Sequence, residues 1–522
     1  MRTVGERLVE GLAARGVSVV FGIPGVHTVE LYRGLSGSGV RHVTARHEQG
    51  CAFMADGYAR VSGKPGVAFV ITGPGVTNAL TAMAQSREDS VPVLVISGVN
   101  RRDSLGRGLG LLHELPDQAA MVRALCPTRQ VTGPADLGPV LDWAFGLLQT
   151  GRPGPVHIEV PTDVMPLPCP ALAAPAATAP PLVPALDAAA ARLNAAKRVV
   201  ILSGGGCRGH EGALRALAEA LDAPVVQTVN ARGMLHQHPL CVPVSPGMEA
   251  VRALTLAADQ VLAIGTEFGP TEYDMYGTGG FPDLPGMIRI DICADQLARV
   301  PAALRVQGDA GATMAALLPL ITPRRTDGAA RAAAAVAAAR DELPDLSPAY
   351  PGMLAMVEAI RTALPRAILV GDSTQPVYAA NLFYSHDRPG GYFNAATGFG
   401  ALGFGPGAAV GAALAAPGTR VICLIGDGGL QFSPGELRTA VDERLPITFV
   451  VWNNAAYGEI ADAMRGANTE VIGCHPSPLR LEPFAAACDL PFTSVPQDPE
   501  VLHWALTQSS DGPRLIEIRV AR

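Results

Sequence analysis

Short apolar runs alternate with amphipathic stretches along the whole chain, and most of these runs end in glycine or a small polar residue. A strand that is apolar at nearly every position is typical of a parallel sheet covered by helices on both faces. Strands that alternate with helical segments form such sheets through right-handed crossovers. The pattern therefore predicts an α/β fold of mostly parallel, doubly wound sheets. In the first third of the chain the predicted strands are 17–21, 40–45, 67–72 and 91–97.

Two proline-rich stretches divide this pattern into three parts. Residues 166–184 predict an extended connector, and residues 344–351 predict a second boundary after an alanine-rich helix over 328–343. We therefore expect three domains, over residues 1–165, 185–345 and 350–522. The predicted strands of the second domain are 198–202, 223–229, 260–264 and 287–291, and those of the third include 368–370, 421–425, 447–451 and 515–520.

The composition excludes several classes of function. With 40 basic and 47 acidic residues the net charge is −7, whereas a nucleic-acid-binding surface needs a basic stripe. No apolar run approaches the roughly 20 residues of a membrane span. The N-terminus predicts an amphipathic helix rather than a signal peptide, and the nine scattered cysteines, without a Cys-x-x-Cys pair, are typical of reduced thiols. We therefore expect a cytoplasmic protein that binds neither nucleic acid nor membranes.

The strongest chemical signal joins two strand ends of the third domain. One predicted strand runs into Gly426, Asp427, Gly428 and Gly429, and the next strand ends at Asn454, 27 positions after the aspartate. A glycine turn after a strand is common, but a carboxylate and an amide oxygen at one edge of a sheet suit Mg²⁺. Glycine amides and a helix N-terminus also suit a phosphate group.

These motifs, together with Arg-His-Glu-Gln-Gly at 46–50 and Thr-Gly-Pro-Gly at 72–75, resemble a known family. They are similar to the thiamine diphosphate (ThDP) enzymes of the acetolactate synthase and 2-oxo acid decarboxylase superfamily. The resemblance implies that Asp427, Asn454 and the carbonyl of Ala456 bind Mg²⁺. It also implies that Glu48 is the catalytic glutamate and hydrogen-bonds N1′ of the cofactor's pyrimidine ring. The structural alternative for Glu48 is a first-turn carboxylate stabilised by the helix dipole.

The resemblance further implies a cofactor site made from the first and third domains. Leu402 occupies the position of the apolar wedge under the bent cofactor, and the carbonyl of Gly400 would accept from its 4′-amino group. The central domain carries FAD in some members, but the turn at 203–206 lacks Gly-x-Gly-x-x-Gly. We therefore do not favour FAD and expect a mainly structural role for this domain. The implied cofactor-binding residues are Gly25, Thr72, Asn78, Ser373, Thr374, Gln375, Gly400, Leu402, Gly426, Gly428, Gly429, Tyr457, Gly458 and Glu459.

Departures from the synthase pattern point to the substrate. In the synthases a loop presents a Phe-Gln pair to the cofactor, whereas this chain has His113 and Glu114 there. His27 also lies where related enzymes place a polar or acid–base residue; the alternative for these three side chains is a solvated loop. Glu459 and Ala463 replace an apolar residue and a tryptophan of the synthases. We therefore add His27, His113 and Glu114 to Glu48 as candidate catalytic residues.

Two segments, Leu-His-Glu-Leu-Pro-Asp-Gln at 112–118 and Asn-Asn-Ala-Ala-Tyr-Gly-Glu-Ile at 453–460, resemble the 5-guanidino-2-oxopentanoate (2-ketoarginine) decarboxylases. Glu114 and Glu459 would favour a cationic substrate, because guanidinium groups bind carboxylates in a bidentate manner. The resemblance thus implies decarboxylation of a 2-oxo acid to an aldehyde. The alternatives are an acetolactate-synthase-like carboligase and a catalytically silent ThDP-fold binding protein. Because the family builds its active site between subunits, a homodimer or homotetramer is expected.

Overall fold

The computed structural model describes residues 1–177, 180–274, 277, 280, 282–284 and 286–520. Three six-stranded sheets follow one another along the chain, and every pairing between their strands is parallel. Helices separate the strands, so each sheet has the βαβ connections of a doubly wound fold. The predicted α/β class with three mostly parallel sheets is confirmed. The domain boundaries stay predictions, and residues 178 and 179 of the predicted connector, like 521 and 522 of the predicted third domain, lie outside the described residues.

The first sheet has the strand order β2-β1-β3-β4-β6-β5. Its first helix begins with a capping box, in which Thr3 and Glu6 each bond the other's backbone N–H. The strands are β1 (Val19–Gly22), β2 (Arg41–Thr44), β3 (Gly66–Val70), β4 (Val93–Val99), β5 (Thr128–Gln130) and β6 (Pro155–Pro161). The α-helices are Val4–Ala14, Val29–Leu35, Glu48–Ser62, Pro74–Glu88, Gln118–Arg123 and Leu137–Thr150, with 3₁₀ turns at Arg102–Ser104 and Pro134–Asp136.

The second sheet has the order β12-β11-β10-β7-β8-β9, so its strand order reverses between β7 and β10. Its strands are β7 (Val199–Ser203), β8 (Val225–Gln227), β9 (Cys241–Val242), β10 (Gln260–Ile264), β11 (Ile288–Asp291) and β12 (Leu304–Gln307). Its described α-helices are Asp187–Ala195, Glu211–Leu221, Glu249–Leu256, Ala294–Arg299, Ala310–Leu317 and Gly328–Leu346, with 3₁₀ turns at Gly205–Cys207, Val229–Ala231 and Leu318–Leu320.

The third sheet has the order β14-β13-β15-β16-β18-β17, and its strand order reverses between β13 and β15. Its strands are β13 (Ile368–Gly371), β14 (Tyr392–Asn394), β15 (Val421–Gly426), β16 (Ile447–Asn453), β17 (Phe492–Pro496) and β18 (Arg514–Arg519). Its α-helices are Tyr350–Ala363, Gln375–Leu382, Phe404–Ala415, Asp427–Leu430, Glu436–Asp442, Gly458–Gly466, Leu481–Ala487 and Pro499–Thr507.

The structure corrects two local predictions. The helix Gly328–Leu346 continues through Pro344, which the sequence analysis had placed in an irregular boundary. Leu343, which is 2% exposed, anchors this last turn in the core, and a proline near a helix end removes few intrahelical bonds. The strand predicted over 223–229 is shorter, because the chain leaves the sheet after Gln227 and forms the 3₁₀ turn Val229–Ala231.

The first and third sheets share one hydrophobic core. Its centre is the contact between the helices Glu48–Ser62 and Phe404–Ala415, which carry Phe53 and Phe404 with ring centroids 5.3 Å apart. The helices approach closely because a side chain at Gly57 would overlap the carbonyl of Ala408. The helix that begins at Glu48 is therefore fixed against the third sheet.

In the described part of the chain, no helix is both long and apolar enough to cross a membrane.

Candidate active site

The predicted metal and phosphate motifs meet where the strand order of the third sheet reverses. Ser373, Thr374 and Gln375 follow β13, and the glycine-rich segment from Gly426 follows β15. Ligands bind at this position in open α/β sheets. A side chain at Gly428 would come within 2.7 Å of the Tyr457 ring, so only glycine fits beneath the tyrosine.

The end of β16 forms a tight turn that presents oxygen atoms to the same edge of the third sheet. Asn454 Oδ1 accepts the N–H of Ala456 at 3.1 Å, and Asn454 Nδ2 donates to Gln375 Oε1 at 3.2 Å. Ala455 takes a left-handed conformation with φ of 54°, which costs energy for a residue with a Cβ. Because both hydrogen bonds fix the amide, Asn454 Oδ1 keeps a lone pair for a cation.

Asp427 supplies the carboxylate of this group. It is 5% exposed, and burial raises its pKa, although backbone N–H groups partly offset the effect. A carboxylate, an amide oxygen and a carbonyl suit Mg²⁺, which takes its remaining ligands from phosphate and water. The described residues contain no cluster of three His, Cys, Asp or Glu side chains that could bind a metal alone. The residues present thus fit a cation that is bound together with a diphosphate.

These residues line one cleft of about 390 Å³. It contains every residue that the sequence analysis predicted for the third sheet. Thr271, Tyr378, Ala396, Gly398, Trp452 and Ile460 also line the cleft, although the sequence analysis did not single them out. The predicted residues in the cleft are Ser373, Thr374, Gln375, Gly400, Leu402, Gly426, Asp427, Gly428, Gly429, Asn454, Ala456, Tyr457, Gly458 and Glu459.

A buried carboxylate that the sequence analysis did not single out shapes this cleft. Asp372 accepts the N–H groups of Ser373 at 2.9 Å, Gly405 at 2.8 Å and Gly403 at 3.3 Å. Burial raises its pKa to about 6 against the effect of these bonds. It thereby ties the end of β13 to the segment that carries Leu402. A Gly-Asp pair at a strand end was the only sequence signal for this role.

Glu459 lies at the mouth of the cleft. Partial burial raises its pKa, the charge of Asp462 adds to the shift, and a hydrogen bond with Gln375 opposes it. The pKa of Tyr378 rises to about 12, first because of burial and then because of the Glu459 charge. Among the described residues that line the cleft there is no Lys, Arg or His, so this end of the cleft carries a negative potential.

The predicted catalytic residue Glu48 lies on the first sheet. It is the first residue of its helix, and its Oε2 accepts a hydrogen bond from Asn78 Nδ2 at 3.0 Å. The structure thus brings together two residues that the sequence analysis predicted for one site. Asn78 fixes one carboxylate oxygen and leaves the other available.

Glu436, from the third sheet, holds the backbone just before Glu48. Its carboxylate accepts the N–H groups of Arg46 and His47, each at 3.1 Å, and the hydroxyl of Thr439 at 2.8 Å. It is 1% exposed, and burial raises its pKa. The sequence analysis did not predict this contact, because the two segments are separated by 390 positions.

His27 and His113 meet with ring centroids 5.4 Å apart. Nδ1 of each ring and Oγ1 of Thr72 are buried without a hydrogen-bond partner among the described residues. His113 has a φ of 61°, and its carbonyl lies 2.5 Å from where a Cβ of Gly73 would be, so the loop is pressed against the end of β3. Burial lowers the pKa of His27, and His113 lowers it further. Buried polar atoms without partners are rare in proteins, so these three atoms can accommodate a ligand or an ordered water.

Two other predicted residues have local partners. Glu114 accepts the N–H groups of Leu109 at 3.1 Å and Leu111 at 2.9 Å, and these bonds lower its pKa. Its carboxylate therefore orders its own loop. Gly25 exchanges hydrogen bonds with Thr28, and a side chain there would overlap Ile71.

In the described part of the chain, the predicted first-sheet residues do not line the third-sheet cleft. The described residues that line the third-sheet cleft lie at 271 and between 373 and 460, and include neither Glu48 nor Glu114. The pairing of Glu114 with Glu459 therefore stays a prediction.

Comparison with known proteins identifies the family. Three family models match the chain in order: the thiamine pyrophosphate enzyme N-terminal TPP binding domain over residues 2–121, the central domain over 186–317, and the C-terminal TPP binding domain over 372–518. Thiamine pyrophosphate (TPP) is another name for thiamine diphosphate. These models cover the regions in which the predicted cofactor residues lie.

Curated relatives agree with these models. A probable 2-ketoarginine decarboxylase of Pseudomonas aeruginosa is 43% identical over 91% of this chain and 86% of its own length. The large subunit of acetolactate synthase isozyme 1 of Escherichia coli is 33% identical over 87% of this chain and 82% of its own length. A probable acetolactate synthase large subunit of Methanocaldococcus jannaschii is 30% identical over 87% of this chain and 80% of its own length. The resemblance that the motifs indicated is confirmed, and the chain belongs to the thiamine pyrophosphate enzyme family.

Proposed function

We propose that the protein catalyses the non-oxidative decarboxylation of a 2-oxo acid to an aldehyde with ThDP and Mg²⁺, and that its substrate is 5-guanidino-2-oxopentanoate. The observation that carries this proposal is the position of the Glu459 carboxylate in the third-sheet cleft. Asp427 would be neutralised by the metal, which leaves the Glu459 carboxylate without a counter-charge in a cleft whose described lining has no basic side chain. The similarity to a probable 2-ketoarginine decarboxylase supports the same substrate.

The third-sheet residues would bind and orient the cofactor. Asp427, Asn454 and the carbonyl of Ala456 would hold Mg²⁺, and the small residues at the ends of β13 and β15 would admit the diphosphate. Bound ThDP supplies the electron sink that lets a 2-oxo acid lose CO₂. Leu402 would act as the wedge that sets the angle between the two cofactor rings, because Asp372 fixes its segment.

The first-sheet residues would move protons. Glu48 has one oxygen engaged by Asn78, so the other is available to share a proton with the cofactor's pyrimidine ring. His27 is a candidate proton donor to the product-forming carbon, with His113 beside it, because each ring has a buried Nδ1 without a partner. The lowered pKa of His27 keeps its ring neutral near pH 7, so it can both accept and return a proton.

A substrate guanidinium would bind at the mouth of the cleft. The Glu459 carboxylate can accept two parallel N–H bonds from the planar group, and the Tyr378 ring beside it offers an aromatic surface. An aliphatic 2-oxo acid supplies no N–H group to Glu459, whose carboxylate would then keep only Gln375 and water as partners. This difference is the physical basis of the proposed selectivity.

We further propose a homodimer or homotetramer in the cytoplasm. The oligomer is supported by the described lining of the third-sheet cleft, which does not include Glu48, so the first sheet of a second subunit would complete the site. Supporting the location, all nine cysteines are free thiols, as expected in a reducing compartment.

The test is the substrate preference of the Glu459→Gln variant. We measure kcat/KM for 5-guanidino-2-oxopentanoate and for 2-oxohexanoate, which lacks the charge. Loss of a hydrogen bond to a charged group removes about 1.5–3 kcal/mol, so the preference for the guanidino substrate is expected to fall about 10- to 100-fold. Asp462→Asn, one turn away on the same helix and exposed, is the control and is expected to keep the preference.

If Glu459→Gln keeps the preference for the charged substrate, the charge argument is wrong. If both variants lose it equally, the effect comes from the general field and not from contact with Glu459. Product analysis separates the second candidate, which the similarity to acetolactate synthases favours: a carboligase forms an acyloin or acetolactate instead of an aldehyde.

A further inference from the structure

A second cleft, of about 340 Å³, lies between the first and second sheets. It opens at the carboxyl ends of β7 and β10, where the strand order of the second sheet reverses. Glu88 and Arg152 close it from the first sheet. Ligands bind at such reversal points, and the proposed decarboxylation uses none of these residues.

The glycine turn in this cleft does not fit the diphosphate of a dinucleotide such as FAD. The N–H of Gly204 donates to the carbonyl of Ile264, and that of Gly206 donates to the carbonyl of Gly265, each at 3.0 Å. A side chain at Gly204 would come within 2.5 Å of Thr266 Cα. These glycines therefore allow the turns after β7 and β10 to pack together. Their N–H groups are hydrogen-bonded to backbone carbonyls and are not available to a diphosphate.

The charge of the cleft also disfavours an anion. Its described lining has six carboxylates and two guanidinium groups. Arg152 is paired with Glu267, and Arg208 donates to the carbonyl of Arg60. The carboxylates are those of Glu88, Asp89, Glu267, Glu272, Asp291 and Asp309.

Two of these carboxylates have spare acceptor capacity. Glu272 accepts the N–H of Val229 and lies near the charge of Arg232. Asp291 accepts the N–H of Cys293 at 2.9 Å and has a second backbone contact, to Ile292. Burial raises the pKa of Glu272 to about 7, with Asp89 and Glu267 adding to the shift. A cation in the cleft would relieve this crowding of negative charge.

An independent observation points to a ligand at the same place. Thr228 is 4% exposed and lines the cleft, and its hydroxyl forms no hydrogen bond with any described residue. Asp291, which also lines the cleft, is 8% exposed. Polar side chains that are this deeply buried are normally hydrogen-bonded, so the Thr228 hydroxyl is free to accept an N–H group from a ligand in the cleft.

We propose that this cleft binds a small organic cation, a guanidinium or primary ammonium compound, through Glu272 and Asp291, and that it does not bind a dinucleotide. Thr228 accepts a further N–H from the same ligand. A guanidinium group, with five donors in one plane, can serve several such acceptors at once.

The test uses agmatine as the probe and the holoenzyme with ThDP and Mg²⁺. Binding is measured by calorimetry in the Glu459→Gln background, so that the proposed substrate site does not contribute. Asp291→Asn and Glu272→Gln are each expected to weaken agmatine binding about tenfold or more, because each removes a charged acceptor. Glu88→Gln, at the rim and already paired with Arg87, is the control and is expected to change the affinity less than twofold.

The rise of the unfolding temperature with agmatine provides a second readout that also shows whether each variant folds. The expected result is a rise in the parent and in Glu88→Gln that is reduced in Asp291→Asn and Glu272→Gln. The proposal is overturned if agmatine does not bind, if both cleft variants bind it as the parent does, or if FAD or ADP binds more tightly than agmatine and loses affinity in Asp291→Asn.

Discussion

Glu436 offers the sharpest test of how the two sheets are held together at the active site. Its carboxylate is the shared acceptor for the N–H groups of Arg46 and His47, and these residues directly precede Glu48. The Glu436 side chain is 1% exposed, and its hydrogen bonds to Arg46 and His47 are partly buried. Glu436→Ala would therefore remove the shared side-chain acceptor of these two N–H groups.

The magnitude follows from these contacts. A hydrogen bond to a charged group contributes up to about 3 kcal/mol and an ordinary one about 1 kcal/mol, so the loss of these two partly buried bonds in Glu436→Ala is expected to lower the free energy of unfolding by about 2–6 kcal/mol. Glu436→Gln keeps a carbonyl oxygen for the two N–H groups, and Thr439 can reverse its hydroxyl, so the expected loss is about 1 kcal/mol. Glu443→Ala is the matched control, because its exposed ion pair with Arg41 joins the same two sheets and is worth at most about 1 kcal/mol.

The assay combines urea unfolding with steady-state kinetics and ThDP binding. We expect Glu436→Ala to lower kcat/KM and Glu436→Gln to retain most of it, while the affinity of the third-sheet site for ThDP changes little. If Glu436→Ala is as stable as Glu443→Ala, the buried hydrogen bonds are not what holds the sheets together. If it is unstable but kcat/KM is unchanged, Glu436 does not position Glu48.

Two further predictions concern pH and assembly. Burial lowers the pKa of His157 to about 3 from 6.5, so between these values only the unfolded chain takes up the proton. Lowering the pH from 7 to 5 should therefore reduce the free energy of unfolding by about 2 kcal/mol through this group. In His157→Gln this part of the pH dependence should vanish when the free energy of unfolding is measured by urea titration at each pH. An unchanged pH dependence in the variant would contradict the assignment. For assembly, mixing the inactive variants Glu48→Gln and Asp427→Asn should restore about a quarter of the wild-type activity, because half of the randomly formed dimers contain both variants and each of these has one intact site of two. If no activity returns, each chain forms its active site alone.

The third-sheet cleft could be predicted from the sequence because its residues lie in short local motifs. A glycine turn after β15 and the Asn-Asn end of β16 follow buried strands that are easy to recognise, and parallel strands bring their carboxyl ends to one edge. The positions of Asp427 and Asn454 follow from this rule alone.

Contacts between distant segments could not be predicted in this way. The hydrogen bonds of Glu436 and the meeting of His27 with His113 depend on how the elements pack, and no local pattern encodes them. The hydrogen bonds of Glu114 could not be predicted for the same reason, because the loop folds back so that its own N–H groups reach the carboxylate. The helix was predicted to end before Pro344, but it continues to Leu346, because the burial of Leu343 outweighs the tendency of proline to end a helix.

The most direct test of the proposed function is the release of CO₂ by the purified protein with ThDP and Mg²⁺, with the products identified by mass. The substrates are 5-guanidino-2-oxopentanoate, pyruvate, 2-oxoisovalerate and benzoylformate. We predict the highest kcat/KM for 5-guanidino-2-oxopentanoate, with 4-guanidinobutanal as the product. A preference for pyruvate with acetolactate as the product, or no turnover of any of the four, would contradict the assignment of Glu459 as the residue that selects a cationic substrate.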